Sequence, residues 1–332
     1  METPNTEYLQ VATRIRAARR VLLLNPEGGD GDSFGATIAL SRLCGRLGVP
    51  ADVFALHASR SVYGFLPNFS GILTEPGRLD YAAYDCIIAC DIAHLGLTGL
   101  ADLSSSDQKT KTIINIDHHA TNQRFGTMNI VDAERAAACE LVYDLARASR
   151  WALDAGTATC LLTGIVSDTG MFAYRNTTDR TLAIAAHLLR CGARLNIITA
   201  FAYRRKSVGT LHLLGTALTR LTRDAATGLV TTYLTRADFS GAGVDETAAE
   251  GIANFLNILG NEKGVVFLKE LPGNKVKGSV RTMQDDIDCA QLARQYGGGG
   301  HRRAAGFVLD GTIDDIRHVW NLSPSHDILT TQ

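Results

Sequence analysis

The chain has 332 residues, of which 45% are apolar and 20% are charged, so it can form two ordinary globular domains. Its formal net charge of -1 excludes a general electrostatic attraction to long nucleic acid. The sequence contains neither an apolar run of membrane-spanning length nor a signal-peptide pattern, so we expect no membrane segment. Seven cysteines without paired metal spacing indicate buried, reduced thiols in a cytoplasmic protein.

The first half of the chain alternates predicted strands and helices. Short β-branched runs predict strands, and apolar residues three and four apart predict amphipathic helices. This alternation predicts an α/β fold with a mostly parallel sheet and helices on both faces. The predicted strands are Val21–Asn25, Asp52–Leu56, Asp85–Asp91 and Thr112–His119, and the predicted helices are Ser33–Gly48, Ala136–Ala148, Ala158–Val166 and Thr181–Cys191.

The second half predicts a smaller α/β unit after a basic, helical segment, Asn196–Leu218, that bridges the two parts. We therefore predict an N-terminal domain over residues 1–192, a helical linker over 193–218 and a C-terminal domain over 219–332. The predicted strands of the second domain are Leu229–Thr235, Gly264–Leu271, Lys275–Arg281 and Phe307–Leu309, and its predicted helices are Glu246–Leu259 and Asp286–Tyr296.

Acidic residues follow three apolar runs of the first half, and each has a structural explanation. Asp30 and Asp32 lie in a glycine-rich turn where a carboxylate can cap the next helix or bind a metal. Asp91 follows five apolar residues, where a charge often marks a strand leaving the core. Asp168 precedes Gly170, which could simply end a helix.

An uninterrupted Asp117-His118-His119 at the end of a predicted strand is harder to explain structurally. All these clusters lie at one predicted edge of the sheet, where open α/β sheets bind ligands. Carboxylates mixed with imidazoles, without thiolates, favour Mn²⁺ or Mg²⁺ over structural zinc. A carboxylate that bridges two such ions is a common arrangement for the hydrolysis of phosphate esters.

A second group of candidate residues lies near the C-terminus. The run Gly297–Gly300 can expose consecutive backbone N–H groups that bind an anion, and His301, Arg302 and Arg303 add cationic donors. A flexible linker is the alternative, but the run stands between a predicted helix and a predicted strand.

These motifs resemble the DHH phosphoesterase family, specifically the members with a DHHA1 domain, and among them the phosphatases of very short RNA. The resemblance covers nearly the whole chain. It rests on Asp30-Gly31-Asp32, Asp91, Asp117–His119 with Asn122, Phe125-Gly126 and Asn129, Gly164-Ile165, Asp168-Thr169-Gly170, Lys277–Arg281 and Gly297–His301.

The first two motifs depart from the family pattern. The family has a metal-binding histidine four residues before its first aspartate, and this chain has Pro26 there, flanked by Asn25 and Glu27. The family usually has a proline just before the aspartate pair, and this chain has Gly29 there. The family often has an arginine after the second motif, and this chain has Leu97 there. Proline has no side-chain ligand atom, so one of two metal positions lacks a ligand.

The resemblance implies roles for the matching residues. Asp32, Asp91, His118 and Asp168 would hold one tightly bound Mn²⁺ or Mg²⁺, and Asp30 with the shared Asp91 would hold a weaker ion. Asp117 and His119 would be catalytic, with His119 contacting the scissile phosphate. The substrate's other end would be bound from the second domain by Arg281, Gly298, Gly299, Gly300 and His301.

The implied function is metal-dependent hydrolysis of short oligonucleotides or small phosphonucleotides in a cleft between the two domains. The alternative is a catalytically weakened nucleotide-binding protein, because Pro26 replaces the histidine. Cyclic dinucleotides remain open as substrates. Inorganic pyrophosphatases of this superfamily have a different C-terminal domain, and a processive exonuclease is disfavoured because a basic channel is missing. We expect no long nucleic acid or membrane partner, and a homodimer is left open.

Overall fold

The computed structural model describes residues 6–100, 111–200 and 207–320, apart from 226, 250, 251, 257, 258, 260, 261 and 285. The chain divides into two compact units, residues 1–204 and 205–332. This division falls within the predicted linker, 193–218. Within the described ranges, no helix is long and apolar enough to cross a bilayer.

The first unit is built on a five-stranded, all-parallel sheet in the order β2-β1-β3-β4-β5. The central strands β1 and β3 are buried along their whole length, as expected for a parallel sheet covered on both faces. The strands are β1 (Val21–Leu24), β2 (Ala51–Phe54), β3 (Cys86–Cys90), β4 (Thr112–Asp117) and β5 (Met128–Val131).

Helices of the first unit cover one face of this sheet. A large apolar core on that face joins the sheet to α1, α2, α4, α5 and α6, and short 3-10 turns with their connecting loops cover the other face. The predicted α/β fold with a parallel sheet is therefore confirmed, although the described helices cover one face of the sheet and not both faces as predicted. The helices are α1 (Thr6–Arg16), α2 (Gly31–Arg46), α3 (Arg60–Tyr63), α4 (Ala138–Ala148), α5 (Ala155–Asp168), α6 (Asp179–Arg190) and α7 (Leu195–Thr199).

The second unit has a six-stranded mixed sheet in the order β10-β11-β9-β8-β7-β6. Apolar cores lie on both of its faces. The strands are β6 (Thr222–Arg223), β7 (Leu229–Leu234), β8 (Gly264–Leu271), β9 (Lys275–Arg281), β10 (Gly299–His301) and β11 (Ala304–Asp310), and the helices are α8 (Val208–Thr219), α9 (Arg236–Ala242), α10 (Ile252–Leu256), α11 (Cys289–Arg294) and α12 (Ile313–Trp320).

One predicted helix differs from the structure. The predicted helix Glu246–Leu259 is a 3-10 turn, Glu246–Ala249, followed by the short α10. In the bridging segment the structure describes α7 and α8, and residues 201–206 lie outside the described ranges. Leu213 and Ala217 of helix α8 pack in a core of the second unit, so the apolar residues of this helix contribute to that domain.

All seven cysteines are free thiols, and six of them are buried. Burial raises the pKa of Cys86 and of Cys160 to about 12, so these thiols stay protonated and unreactive at neutral pH. This agrees with the expectation of buried, reduced cysteines.

Candidate metal centre

The carboxyl ends of β3 and β4 deliver the first residues of the site. Asp91 directly follows β3, and its backbone has a φ of 59°, in the left-handed region. Such a conformation at a non-glycine residue is characteristic of functional sites because surrounding structure must hold it. The backbone N–H of Asp91 donates to the carbonyl of Ile116 in β4, at 2.9 Å, and this bond anchors the bend beside the neighbouring strand.

Three carboxylate oxygens surround a single nitrogen, His118 Nε2. The nitrogen lies 3.2 Å from Asp168 Oδ2, 3.5 Å from Asp91 Oδ1 and 3.8 Å from Asp32 Oδ2. Two overlapping sets of close ligand atoms result, and both contain His118: one with Asp91 and His119, the other with Asp32 and Asp168. The tight-site residues predicted from the sequence therefore come together around one point.

The hydrogen-bonding of these donors fits a cation. Asp91 Oδ1 and His118 Nε2 are buried, and neither makes a hydrogen bond among the described residues. Buried polar atoms usually have hydrogen-bond partners, and a cation bound between these two atoms would satisfy both. His118 Nδ1 is 3.2 Å from the carbonyl of Arg135, and a proton on Nδ1 would leave the lone pair of Nε2 for a metal.

Burial and crowding alter the protonation of this cluster. Burial raises the pKa of Asp32, raises that of Asp91 well above its usual range and, together with repulsion from Asp32 and Asp30, raises that of Asp168 to about 8. Burial alone would lower the pKa of His118, but the Asp168 and Asp91 carboxylates raise it well above its ordinary value. A divalent cation would replace these protons and neutralise the carboxylates.

Asp32 reaches the site from the first turn of α2 and is fully buried. Its carboxylate accepts hydrogen bonds from the backbone N–H groups of Ala138, at 2.5 Å, and Cys139, at 2.9 Å. Helix α4 has no side-chain cap of its own at Ala137, so Asp32 caps it from a distant part of the chain. The remaining lone pairs of the carboxylate can still face a metal.

Two glycines let α2 and α5 approach closely enough to bring Asp32 and Asp168 together. A Cβ atom on Gly35 would lie 2.5 Å from the carbonyl of Cys160, and one on Gly164 would lie 2.4 Å from Asp32 Oδ1. Both distances are shorter than real Cβ contacts. The helix contact that places the two carboxylates therefore requires glycine at both positions.

Asp117 and His119 form a linked pair beside the three carboxylates. Asp117 is fully buried, and its Oδ1 lies 2.7 Å from His119 Nδ1 and accepts the backbone N–H of His118 at 2.8 Å. Burial alone would raise the pKa of Asp117, but bonds from His119 and Asn122 lower it, so this carboxylate is ionised. Asn122 Nδ2 also donates to the carbonyl of Ile92 at 3.0 Å, which ties Asp117 to the chain after β3.

Asp30 caps helix α2, and Glu27 lies beside a histidine. Asp30 Oδ1 accepts the backbone N–H groups of Asp32 and Ser33, at 2.9 and 3.1 Å, so the capping role considered from the sequence is present. Asp30 is still close enough to contribute to the raised pKa values of Asp32, Asp91 and Asp168. Glu27 Oε1 lies 3.6 Å from His57 Nε2, and the close ligand sets among the described residues include neither Glu27 nor Asp30.

The substrate-binding residues predicted in the second unit lie on β9, on β10 and, for Gly298, directly before β10. Arg281 Nη1 donates to the carbonyl of Val280 at 2.9 Å. Part of the glycine run forms an edge strand, β10, paired with β11. A Cβ on Gly298 would lie 2.1 Å from the carbonyl of Gly306, and one on Gly300 would lie 2.6 Å from that of Ala304. Packing alone therefore accounts for glycine at both positions.

Several residues that orient the site carried no sequence signal. Arg135 acts through its backbone carbonyl, which any residue could provide. Asn176 Nδ2 donates to the carbonyls of Ala136, at 3.2 Å, and Asp168, at 3.1 Å. Only the position of Asn176 shortly after the fourth acidic cluster could have drawn attention to it.

Comparison with known proteins agrees with the motifs. Residues 20–165 match the N-terminal domain of the DHH family, and residues 227–321 match the DHHA1 domain. A protein of Thermus thermophilus named bifunctional oligoribonuclease and PAP phosphatase NrnA is 36% identical over 200 residues, which span 60% of this chain and 59% of that protein. A protein of the same name from Mycoplasma pneumoniae is 26% identical over 93% of this chain and 94% of its own length.

A solved structure extends the agreement to the fold. The crystal structure of an exopolyphosphatase-related protein from Bacteroides fragilis superposes with a TM-score of 0.87 and 22% identity, covering 95% of this chain and 94% of that one. At this level of identity the likeness shows that both chains share the same fold.

Proposed function

We propose that this chain, which belongs to the DHH family and carries a DHHA1 domain, is a metal-dependent phosphoesterase that acts on short oligonucleotides or small phosphonucleotides. One observation carries the proposal: three carboxylate oxygens lie within 3.8 Å of His118 Nε2. Such a set of hard oxygens with one imidazole suits Mn²⁺ or Mg²⁺. The names of the two relatives support the substrate class.

Asp32, Asp91, His118 and Asp168 would hold the tightly bound ion. When bound, a divalent cation lowers the pKa of an attacking water and neutralises charge on the phosphoryl oxygens. The chain's contribution is to hold these four donors in place before substrate arrives. The capping contacts of Asp32 and the carbonyl behind His118 provide that rigidity.

His119 would contact the substrate, and Asp117 would act by holding His119. The ionised Asp117 carboxylate holds His119 by Nδ1, which fixes the orientation of the ring. We propose that Nε2 of this ring donates to a non-bridging oxygen of the scissile phosphate. A hydrogen-bond donor held in a fixed orientation stabilises the charge that develops there in the transition state.

The second domain would bind the remainder of the substrate. We propose that Arg281 and His301 contact its far phosphate or base, and that backbone N–H groups of Gly298, Gly299 and Gly300 add further donors. Gly297 and Gly299, where a Cβ would meet no atom within 4 Å, are the members of the run with open space beside them.

A second, weaker ion would bind at Asp30 and the shared Asp91. Pro26 provides no ligand there, and Asp30 Oδ1 already accepts two backbone hydrogen bonds. We propose that substrate and water complete this position, so that the second ion binds only with substrate. If the loss of a ligand has instead weakened turnover severely, the chain acts mainly as a nucleotide-binding protein.

A screen of substrates against metals tests the proposed function. Dinucleotides, a 3′-phosphonucleotide, cyclic dinucleotides and pyrophosphate would each be incubated with Mn²⁺ or Mg²⁺ while released mononucleotide or phosphate is measured. We expect hydrolysis of dinucleotides or the phosphonucleotide, abolished by chelation. Dinucleotide binding without hydrolysis under any metal condition would favour the binding-protein alternative, and preferred hydrolysis of pyrophosphate would contradict the proposed substrate class.

A further inference from the structure

One turn contacts several elements of the candidate metal centre through its backbone. This segment, residues 132–139, joins β5 to the first turn of α4 and is called here the 132–139 turn. The backbone N–H of Asp132 donates to the carbonyl of Asp117 at 3.2 Å, and the carbonyl of Arg135 faces His118 Nδ1 at 3.2 Å. The N–H groups at its other end hold both oxygens of Asp32.

The fourth acidic residue is connected to the same turn by Asn176. The amide of Asn176 joins the carbonyl of Ala136, within the 132–139 turn, to the carbonyl of Asp168. The residues after Asp168 need such support, because Met171 and Phe172 have φ values of 60° and 67° in the left-handed region. The turn thus supports Asp32, His118 and Asp168.

Side-chain ion pairs hold the 132–139 turn itself. Arg135 Nε lies 3.0 Å from Asp132 Oδ2, within the turn, and Arg135 Nη2 lies 3.5 Å from Asp144 Oδ2, one helical turn further along α4. Asp144 also pairs with Arg180 of helix α6. Arg135 therefore fastens the turn to the helix at the point where its carbonyl faces His118.

We infer that Arg135 is a positioning residue for the metal centre, and that the 132–139 turn holds three ligands in a binding geometry before metal arrives. The inference rests on the proposed function, since it requires the metal centre to exist. A carbonyl behind a ligating imidazole sets the ring's tautomer and direction, and loss of such a partner weakens metal binding by about 10–100-fold. Loss of the Arg135 ion pairs would loosen that carbonyl without removing any ligand.

Titration of the metal-free protein with Mn²⁺ tests the inference, with free Mn²⁺ followed by its electron paramagnetic resonance signal. Arg135→Met should raise the Kd for Mn²⁺ by about 10-fold, the lower end of the effect of losing such a partner, because the carbonyl is loosened and not removed. Asp144→Asn removes the charge of an ion-pair partner of Arg135 with little change of shape, and it should also weaken Mn²⁺ binding. This variant replaces Arg135→Met in the test if Arg135→Met does not fold. Arg135→Lys keeps a cation at this position and should restore part of the affinity.

Arg14→Met is a matched control in the same domain. The Arg14 and Arg135 side chains are 23% and 22% exposed, and Arg14 pairs with Asp85 at the amino end of β3, opposite to Asp91. Arg14→Met should leave the Kd for Mn²⁺ unchanged.

An equal Kd in wild type and Arg135→Met, or equal weakening in both arginine variants, would overturn the positioning role while leaving the proposed function intact. A wild-type protein that binds no Mn²⁺ would overturn both.

Discussion

The close contact between α2 and α5 at Gly164 offers a sharp test of how the site is held. A Cβ atom on Gly164 would lie 2.3 Å from Cys139 Sγ and 2.4 Å from Asp32 Oδ1, so Gly164→Ala must displace one or both. Because Asp32 accepts hydrogen bonds from Ala138 and Cys139, its movement would disturb a metal ligand and a helix cap together. We therefore expect a loss of both stability and metal affinity.

The size of the loss follows from three contributions. Overpacking costs about 1–3 kcal/mol. Weakened hydrogen bonds to the charged carboxylate cost about 1.5–3 kcal/mol, and alanine's better helix propensity returns about 1 kcal/mol. The net loss is about 1.5–5 kcal/mol, and each kcal/mol lowers the Tm of a domain of 150–250 residues by about 2–4 °C.

Thermal unfolding with and without Mn²⁺ measures this effect. Gly164→Ala should unfold at a lower temperature than wild type, and Mn²⁺ should raise its Tm by less than it raises that of wild type. Gly45→Ala is the matched control, because Gly45 also lies within a helix but a Cβ there would meet no atom within 4 Å. The free energy of unfolding of that control should rise by about 0.5–1 kcal/mol, because alanine favours the helix over glycine. Wild-type unfolding and a wild-type Mn²⁺ response in Gly164→Ala would refute the argument.

Four further predictions concern ligands, pH, substrate and metal count. His118→Ala or Asp168→Ala should abolish Mn²⁺-dependent hydrolysis and leave the fold intact by circular dichroism; normal turnover at saturating metal would remove that residue from the mechanism. The increase in Tm caused by Mn²⁺ should be larger at pH 8 than at pH 6, because protons compete with metal for these donors. Arg281→Ala and His301→Ala should mainly raise KM, since contacts made equally before and during reaction contribute uniform binding; an unchanged KM in both would mean that the second domain does not bind substrate. Metal titration should give one tightly bound ion per chain and a second only with substrate, whereas two tight ions with Glu27 as a ligand would show replacement of the missing histidine.

The pH prediction follows from the direction of the pKa shifts. Folding raises the pKa of Asp168 from 3.8 to about 8, so the metal-free folded protein holds a proton that the unfolded chain releases. That contribution to stability is complete below about pH 4 and is lost as the pH rises through about 8. The raised pKa of His118 acts in the same direction. Metal-free protein that is more stable at pH 8 than at pH 6 would contradict this assignment.

Periodicity predicted the buried elements of the fold well. The bounds of β8 and β9 agree with the prediction residue for residue. Gly264–Leu271 and Lys275–Arg281 are apolar or alternating runs, and the turn between them marks where one strand ends and the next begins. Strand β5, Met128–Val131, was missed because it has four residues, only one of them buried. Helix α1 was missed although its buried residues, Val11, Ala12 and Ile15, have the spacing of a helical apolar face.

Sequence reasoning could predict the parts of the candidate site that are formed by side chains, but not those formed by backbone groups. Asp91 and His118 stand out because each follows a buried strand, and a parallel sheet brings such ends together. The capping of α4 by Asp32 could not be predicted, since it depends on a helix contact between distant segments. The 132–139 turn acts mainly through backbone groups, which leave no trace in residue identity.

The location of bound Mn²⁺ tests the central claim most directly. A crystal of the protein grown with Mn²⁺ would be measured for anomalous scattering near the manganese absorption edge. We predict a strong peak about 2 Å from His118 Nε2 and from carboxylate oxygens of Asp32, Asp91 and Asp168. A fully occupied Mn²⁺ peak elsewhere, such as at Glu27 and His57, with none beside His118, would contradict it.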